Sequence, residues 1–415
     1  MSSGPGSVPP GLAPAAANAG SAAGAAPVPA PAPAARLESI DFVRGLAMVL
    51  MALDHVREHV HRGATLYDPT DLSRASAALF LTRWITHFCA PVFVFLAGTG
   101  TYLWAARGRT PRETSRYLLI RGLWLILLEM TVVNAEWQFG PTMRSIILQV
   151  IWALGCSMVV LAALVRLPLY ATFAVGSLMI FGHDLFDNLQ PDALGIFGNL
   201  WRVLHVQGPI PWGQGNVFLI VYPLVPWIGV MAVGYAFGAL YSQPAPARRG
   251  PMLAWGAALT VCFVVLRALD AYGDPGAWSP QPDLGYSILS FLNCQKYPPS
   301  LLYLLMTLGP VLLLLGALES GIPKLGRWLI VFGRVPLFFY LVHLLVIDLL
   351  SIVLAVLQFG PRVLDAFAHG PPADYGYSLG IAYLVWIALV AALYPVCRWY
   401  AGVKARSRAR WVKYL

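Results

Sequence analysis

Charge is what this sequence has least of. Asp, Glu, Lys and Arg make up 11% of its 415 residues, while 58% are hydrophobic. A soluble domain of ordinary composition carries roughly 25% charged residues, so the chain cannot clothe a water-facing surface of normal size. The five cysteines, Cys89, Cys156, Cys262, Cys294 and Cys397, form no CxxC pair and no spaced framework, which excludes a disulfide-stapled scaffold. Four of them fall in apolar runs as small packing residues, and Cys294 alone falls in a loop. No basic segment followed by a strongly apolar one opens the chain, so no cleaved signal peptide is expected. No internal repeat is found, which weighs against a transporter built from inverted halves.

What is present in quantity is long apolar sequence. Ile146–Val165 contains a single strongly polar side chain, Gln149, and Asn216–Leu240 and Ser300–Leu318 are similar. Each is near the ~20 residues a helix needs to cross a bilayer. Ten candidate spans follow from Ser39 onward: 40–60, 84–104, 117–136, 146–166, 168–186, 216–241, 252–270, 300–318, 328–356 and 377–401. The expected fold is therefore an all-α, polytopic membrane bundle of about ten helices (nine to eleven). The ninth span is long and carries Gly333 and Pro336, so it is expected to begin as a bent or re-entrant piece. Residues 1–35 are almost wholly Ala, Pro, Gly and Ser and read as a disordered tail. Residues 36–403 form the membrane domain, and 404–415 form a basic tail.

The formal charge of +9 is unevenly placed. Arg107, Arg109 and Arg112 follow the second span, Arg248 and Arg249 the sixth, and Lys324 and Arg327 the eighth. Arg398, Lys404, Arg406, Arg408, Arg410 and Lys413 crowd the end. With ten spans these all fall on one side, and the positive-inside rule puts both termini in the cytoplasm of a multi-pass plasma-membrane protein. A basic tail can also mark nucleic-acid binding. Here it directly follows an apolar span and carries Trp399, Tyr400, Trp411 and Tyr414, the pattern of a membrane-interface anchor, so the partner expected is the bilayer and no nucleic acid.

Polar groups inside the spans are costly and face the bundle interior or a wet cavity. The first span, IDFVRGLAMVLMALDHVREHV, is the most unusual. At 100° per residue Asp41, Arg44, Met48, Met51, His55 and His59 share one stripe, and Arg44 and His55 lie about 16 Å apart along the axis. His87 begins the second span at a similar depth, Glu129 sits in the third, and His343 in the ninth, with Arg334 deeper and Asp348 above it. A lone buried histidine is usually a packing residue, and Asp41 with Arg44 reads as an i,i+3 pair. Three histidines converging from three spans are a different matter, because a neutral imidazole can take a proton near neutral pH. Three histidines can also hold zinc. No His pair with a nearby carboxylate sits within one span, so no metal is expected.

The stretch RLESIDFVRGLAMVLMALDH, followed by HFCAPVFVFLAGTG, resembles the heparan-α-glucosaminide N-acetyltransferase catalytic-domain family. RGLWLILLE, YPLVPWIGVMAVGYAFG, FLNCQKYPPSLLYLLMTLGP and FGRVPLFFYLVHL extend the likeness from about Arg36 to the last span. The resemblance implies transfer of an acetyl group from cytosolic acetyl-CoA to an amine or hydroxyl of a sugar or glycan beyond the membrane, and it makes a homodimer a natural expectation. It also exposes a departure. Characterised eukaryotic members have Asn where His55 stands and Asp where His87 stands, and their catalytic histidine falls later, where this chain has no match.

On this reading His55, His87, His343 and Asp54 are the catalytic candidates. Arg44, Arg107, Arg109, Arg112 and Arg334 are candidates for the phosphates of acetyl-CoA, and Asn293, Lys296, Tyr297 and Glu129 for the acceptor. His55 would serve as general base for direct attack, or carry the acetyl group itself; sequence leaves both routes open. The rival is a transporter or flippase using the same intramembrane polar residues.

Overall fold

A computed structural model describes Met1, Gly4, Gly6 and residues 37–407 apart from 139–143, 214, 365–371 and 373. The expected disordered tail and the last eight basic-tail residues thus lie almost wholly outside the described residues. The chain divides into Met1–Leu37 and the helical unit Glu38–Leu415.

The helical unit begins with α1 (Glu38–Val60), α2 (Ala77–Thr86), α3 (Cys89–Ala105), α4 (Pro111–Leu128) and the short α5 (Asn134–Trp137). A π-helical turn, Glu129–Val133, joins α4 to α5. Then come β1 (Ser145–Leu148), α6 (Val150–Leu164), α7 (Leu169–Gly182), α8 (Gly198–Leu204), β2 (Gly208–Trp212) and β3 (Asn216–Ile220). The remainder is α9 (Leu224–Phe237), α10 (Ala245–Leu269), α11 (Leu284–Leu292), α12 (Leu301–Leu318), α13 (Leu329–Arg334), α14 (Pro336–Phe359) and α15 (Leu379–Arg406).

Eight helices among the described residues are long and apolar enough to cross a membrane. The other two expected spans are α6, which has 15 residues, and α1, which has 23 residues but carries Glu38, Asp41, Arg44, Asp54, Arg57 and Glu58. The charges of α1 are tolerated because the helix is wrapped by α2, α3, α12, α13, α14 and α15, leaving Asp41, Asp54 and Arg57 buried against protein rather than lipid.

Two expected spans start later than their apolar runs. Residues 145–148 and 216–220 are strands, not helix. β3 pairs parallel with β1, Ser145 opposite Val217, and antiparallel with β2, Gly208 opposite Ile220. A short apolar run gives no period that separates strand from helix. At β3 the deciding residues are Val217, Phe218 and Ile220, followed by Pro223, which precedes the first turn of α9.

Glycines set the helix contacts, as expected where small residues let backbones approach inside a membrane. A Cβ on Gly98 would stand 2.1 Å from Met231 O, and one on Gly234 2.2 Å from Phe95 O, so α3 and α9 pack backbone to backbone. The same holds for α1 and α13, where a Cβ on Gly45 would stand 1.9 Å from Leu329 O and one on Gly333 1.8 Å from Asp41 O. Residues 41 and 45 thus face 333 and 329. The short α13 runs antiparallel to the first turns of α1, and the chain reverses at Val335 and Pro336 into α14. The expected bend of the ninth span is this break.

Alternation of the spans gathers Arg107, Arg109, Arg112, Arg248, Arg249, Lys324 and Arg327 at the end of the bundle that holds Glu38. Arg327 pairs there with Glu38 at 2.9 Å and Arg248 with Glu319 at 2.6 Å. The sheet, α8, α11 and residues 61–76 lie at the opposite end.

Candidate active site

The site begins with two parallel helices in register. His55 on α1 faces His343 on α14, with Nδ1 of the first 2.9 Å from Nε2 of the second. One turn further along, His59 Nε2 lies 3.3 Å from Asp348 Oδ1. These rungs fix α14 against α1 near the end away from the basic loops. The rings of His55 and His343 stack at 5.1 Å, Phe339 stacks on His343 at 5.0 Å, and Trp137 closes edge-on to His55 at 5.2 Å.

The hydrogen bonds determine where the protons sit. His343 is fully buried, and its Nδ1–H donates to Phe339 O at 2.9 Å, the carbonyl one turn back. A neutral imidazole that donates from Nδ1 offers a lone pair at Nε2. His55 must then donate from Nδ1, which leaves the lone pair of its own Nε2 uncommitted. Among the described residues no hydrogen bond reaches that atom.

His55 lines a cleft of about 490 Å³, mouth included, together with Met51, Asp54, Glu58, Arg83, Cys89 and Trp137, and with Gln149, Tyr222, Lys296, Tyr297 and Tyr340 on other elements. The two acids of the lining, Asp54 and Glu58, are matched by two arginines, Arg83 in the lining and Arg57 behind it. Asp54 receives Arg57 at 3.0 Å and Arg83 in a still shorter ion pair. Glu58 lies 3.2 Å from Arg57 and 3.6 Å from Arg83. The fifth charge is Lys296. Its ammonium sits 5.1 Å from the centre of the Tyr297 ring and has no carboxylate within ion-pairing distance among the described residues, so the cleft carries a net positive charge. Burial opposes ionisation of Tyr297, yet Lys296 and Arg83 bring its phenol below the ordinary tyrosine range. Tyr222 is held above that range by burial and by the Tyr297 hydroxyl beside it.

The structure brings some of the expected residues together and leaves others apart. His55, Asp54, Lys296 and Tyr297 line the cleft, and His343 stands behind His55. His87 does not reach the cleft; it is buried with its ring 5.4 Å from that of Tyr303, whose hydroxyl donates to His87 O. Glu129 is fully buried and accepts from Gln149 N at 2.9 Å, so it touches the cleft through Gln149. Asn293 donates its amide to Thr70 O at 3.1 Å. None of the five expected arginines lines the cleft. Arg44 lies 3.7 Å from Asp41 and reaches toward Leu96 O, Arg334 ends α13, and Arg107 and Arg109 are exposed between α3 and α4, with Arg112 exposed in the first turn of α4.

The family model for the heparan-alpha-glucosaminide N-acetyltransferase catalytic region matches residues 36–269, more than half of the chain. The chain belongs to this family. No curated protein matches it. The match to the N-acetyltransferase model spans α1 to α10 and so includes His55, Asp54 and Arg83. Lys296, Tyr297 and His343, which complete the site, lie beyond it.

Among the residues of the cleft, sequence reasoning missed Arg83, Glu58, Gln149, Trp137, Tyr222 and Tyr340. Two of these had a signal. Arg83 opens an apolar segment, and Gln149 is the one strongly polar residue of its run. Both are polar groups that the bilayer would reject unless something received them. The aromatic residues had none, because tyrosine and tryptophan near a membrane surface are common without any site.

Proposed function

We propose that this chain transfers the acetyl group of acetyl-CoA to an amine or hydroxyl of a sugar or glycan on the far side of the membrane, with His55 as general base. The observation that supports this most is the His55–His343 pair: a half-buried imidazole that lines a cleft, whose tautomer is set from behind by the buried His343 and whose other nitrogen is uncommitted, in a chain of an acetyltransferase family. His55 Nε2 takes the proton of the attacking N–H or O–H as the new bond to the thioester carbon forms. The tetrahedral oxyanion meets the positive charge of Lys296 and the hydroxyl of Tyr222 or Tyr340. The carbon–sulfur bond then breaks, and the CoA thiolate recovers the proton from His55. Arg107, Arg109, Arg112, Arg44 and Arg334 gather toward the basic end, which the positive-inside rule assigns to the cytoplasm, and they are the groups suited to the phosphates of the donor. Asn293, Lys296 and Tyr297 lie on the segment between α11 and α12 and are suited to the acceptor. Glu129 holds the backbone at Gln149, and His87 packs against Tyr303.

The test is transfer by the purified protein in sealed liposomes, with labelled acetyl-CoA on one side and a panel of amino sugars and oligosaccharides on the other. Label should reach an acceptor with wild type. His55→Ala should lower turnover by about 10²–10⁴-fold, the usual worth of a positioned base, while CoA still binds. Transfer that persists undiminished in His55→Ala removes His55 as the base. A folded wild type that binds no CoA but moves a solute supports the transporter reading instead. Acetyl label trapped on His55 after an acid quench assigns the covalent route.

A further inference from the structure

We propose that His183, His205 and Asp187 form a binding site for one divalent transition-metal ion, zinc foremost. The three residues lie outside the cleft, on the excursion that leaves α7 and returns through β2. His183 opens the 3₁₀ turn that follows α7 and Asp187 caps it, and His205 caps α8, twenty-two residues after His183 in the chain. That spacing explains why no metal motif is legible in the sequence: the pair is not an i,i+3 or i,i+4 signature on one helix.

One ring nitrogen of each histidine and a carboxylate oxygen of Asp187 lie within 4.8 Å of one another. Tetrahedral zinc, at about 2.0–2.2 Å from N and O ligands, holds such atoms roughly 3.3 Å apart, so a rotation of one side chain closes the set. His205 Nε2 is already 2.9 Å from Asp187 Oδ1. Two imidazoles and one carboxylate are the donor set of borderline divalent ions, and three ligands leave a fourth position open. Both histidines are buried, with 3% and 2% of their surface exposed.

The second observation concerns His183 itself. Neither of its ring nitrogens makes a hydrogen bond among the described residues. Nδ1 lies 2.7 Å from Asp184 Oδ1, but at an angle that makes an ion contact and not a hydrogen bond. Asp184 is engaged elsewhere, its Oδ2 accepting Leu301 N at 2.9 Å. A buried imidazole with no hydrogen bond at either nitrogen is rare unless something else receives it, and a cation answers for it. Its surroundings are well tied: Trp201 Nε1 donates to Leu189 O at 2.8 Å, and the Trp201 ring lies 4.8 Å from that of His205. A metal here clamps the turn after α7 to the end of α8, and α8 leads into β2, whose partner β3 delivers Tyr222 to the cleft.

The experiment is metal uptake by the full chain, purified in detergent on a tag free of histidine. Wild type exposed to zinc and desalted should retain one ion per chain by elemental analysis. Cobalt should give the visible bands of a tetrahedral or five-coordinate site. His183→Ala and His205→Gln should each retain less than about a tenth of that metal, and Asp187→Asn should bind at least tenfold more weakly, while His61→Ala binds as wild type. Added zinc should raise the melting temperature of wild type and leave that of His205→Gln unchanged. Equal uptake by wild type and the His183→Ala/His205→Gln double variant, or a wild-type melting temperature indifferent to zinc and cobalt, overturns the proposal and leaves a metal-free His205–Asp187 pair. Because the wild-type titration needs no variant to fold, poor expression of a variant does not shelter the idea.

Discussion

What His55 can do depends on which of its nitrogens carries the proton, and that is decided one residue away. His343 donates to a backbone carbonyl and so must accept from His55. A side chain that can accept at that position should keep the tautomer, and one that cannot should lose it. His343→Gln, whose amide oxygen can take the Nδ1–H, should therefore retain a larger share of kcat than His343→Leu, with KM similar in the two. Equal losses would reduce His343 to a packing residue. Asp54 has a different weight. Removing its carboxylate leaves Arg57 and Arg83 with Glu58 alone, and breaking a buried ion pair from one side costs about 3–5 kcal/mol. Asp54→Ala should thus fail to give a monodisperse folded protein in detergent where His55→Ala succeeds. At this scale the sequence was informative about type and uninformative about company. His55 and His343 stood out because imidazoles are rare in apolar helices. Arg83 and Tyr222 became part of the site only when α2 and the end of β3 were brought to the same cleft.

Between residues and fold stand the helix pairs. The contact of α1 with α13 allows no side chain at Gly45 or Gly333, where a Cβ would fall within 2 Å of a carbonyl oxygen. Gly45→Ala and Gly333→Ala should each destabilise the bundle by about 1–3 kcal/mol, the range of overpacking, visible as lower melting temperatures. Gly100→Ala, which meets nothing nearer than Arg44 Nη2 at 3.8 Å, should be nearly neutral. Just past α1, His61 caps the turn Arg62–Thr65 by accepting Gly63 N at 3.2 Å. Burial and the charge of Arg57 hold its pKa below the ordinary 6.5, so the fold favours the neutral ring. The stability this ring contributes is complete above pH 6.5 and is lost as the pH falls through its lowered value. The melting temperature should fall on acidification from about pH 7.5 to about pH 5, and fall less in His61→Asn, which caps without titrating; identical slopes would exclude this role. Elements were legible where composition was uniform, as in α12. They were misjudged at β1 and β3, where a few apolar residues serve a sheet edge as well as a helix.

Taken as a whole, the molecule has a basic end and an end that carries the sheet, the cleft side of His55 and the proposed metal cluster. Impermeant maleimide applied to cells should label a single cysteine placed at Asp283 and leave one at Arg109 unlabelled until the membrane is opened. The reverse pattern would invert the direction of acetyl flow. Eight of the ten expected spans are long and apolar enough to cross a membrane. The exceptions are α6, with 15 residues, and α1, whose six charges make it too polar for a membrane helix by composition and whose place becomes clear only from the six helices that surround it.

That placement bears on how the chain is made. His55 and His343 are separated by 288 residues, and at ~5–20 residues per second the ribosome delivers the second roughly 15–60 s after the first. Through that interval Asp54, Arg57 and Glu58, in the last third of α1, lack the later helices that close around them, and charged groups inside a bilayer are costly. Arg83 arrives early and relieves the carboxylates; α13 and α14 arrive late and close the helix in. α1 is thus made early and settles late, and mutations in α14 will register first as failures of α1 to stay in the membrane.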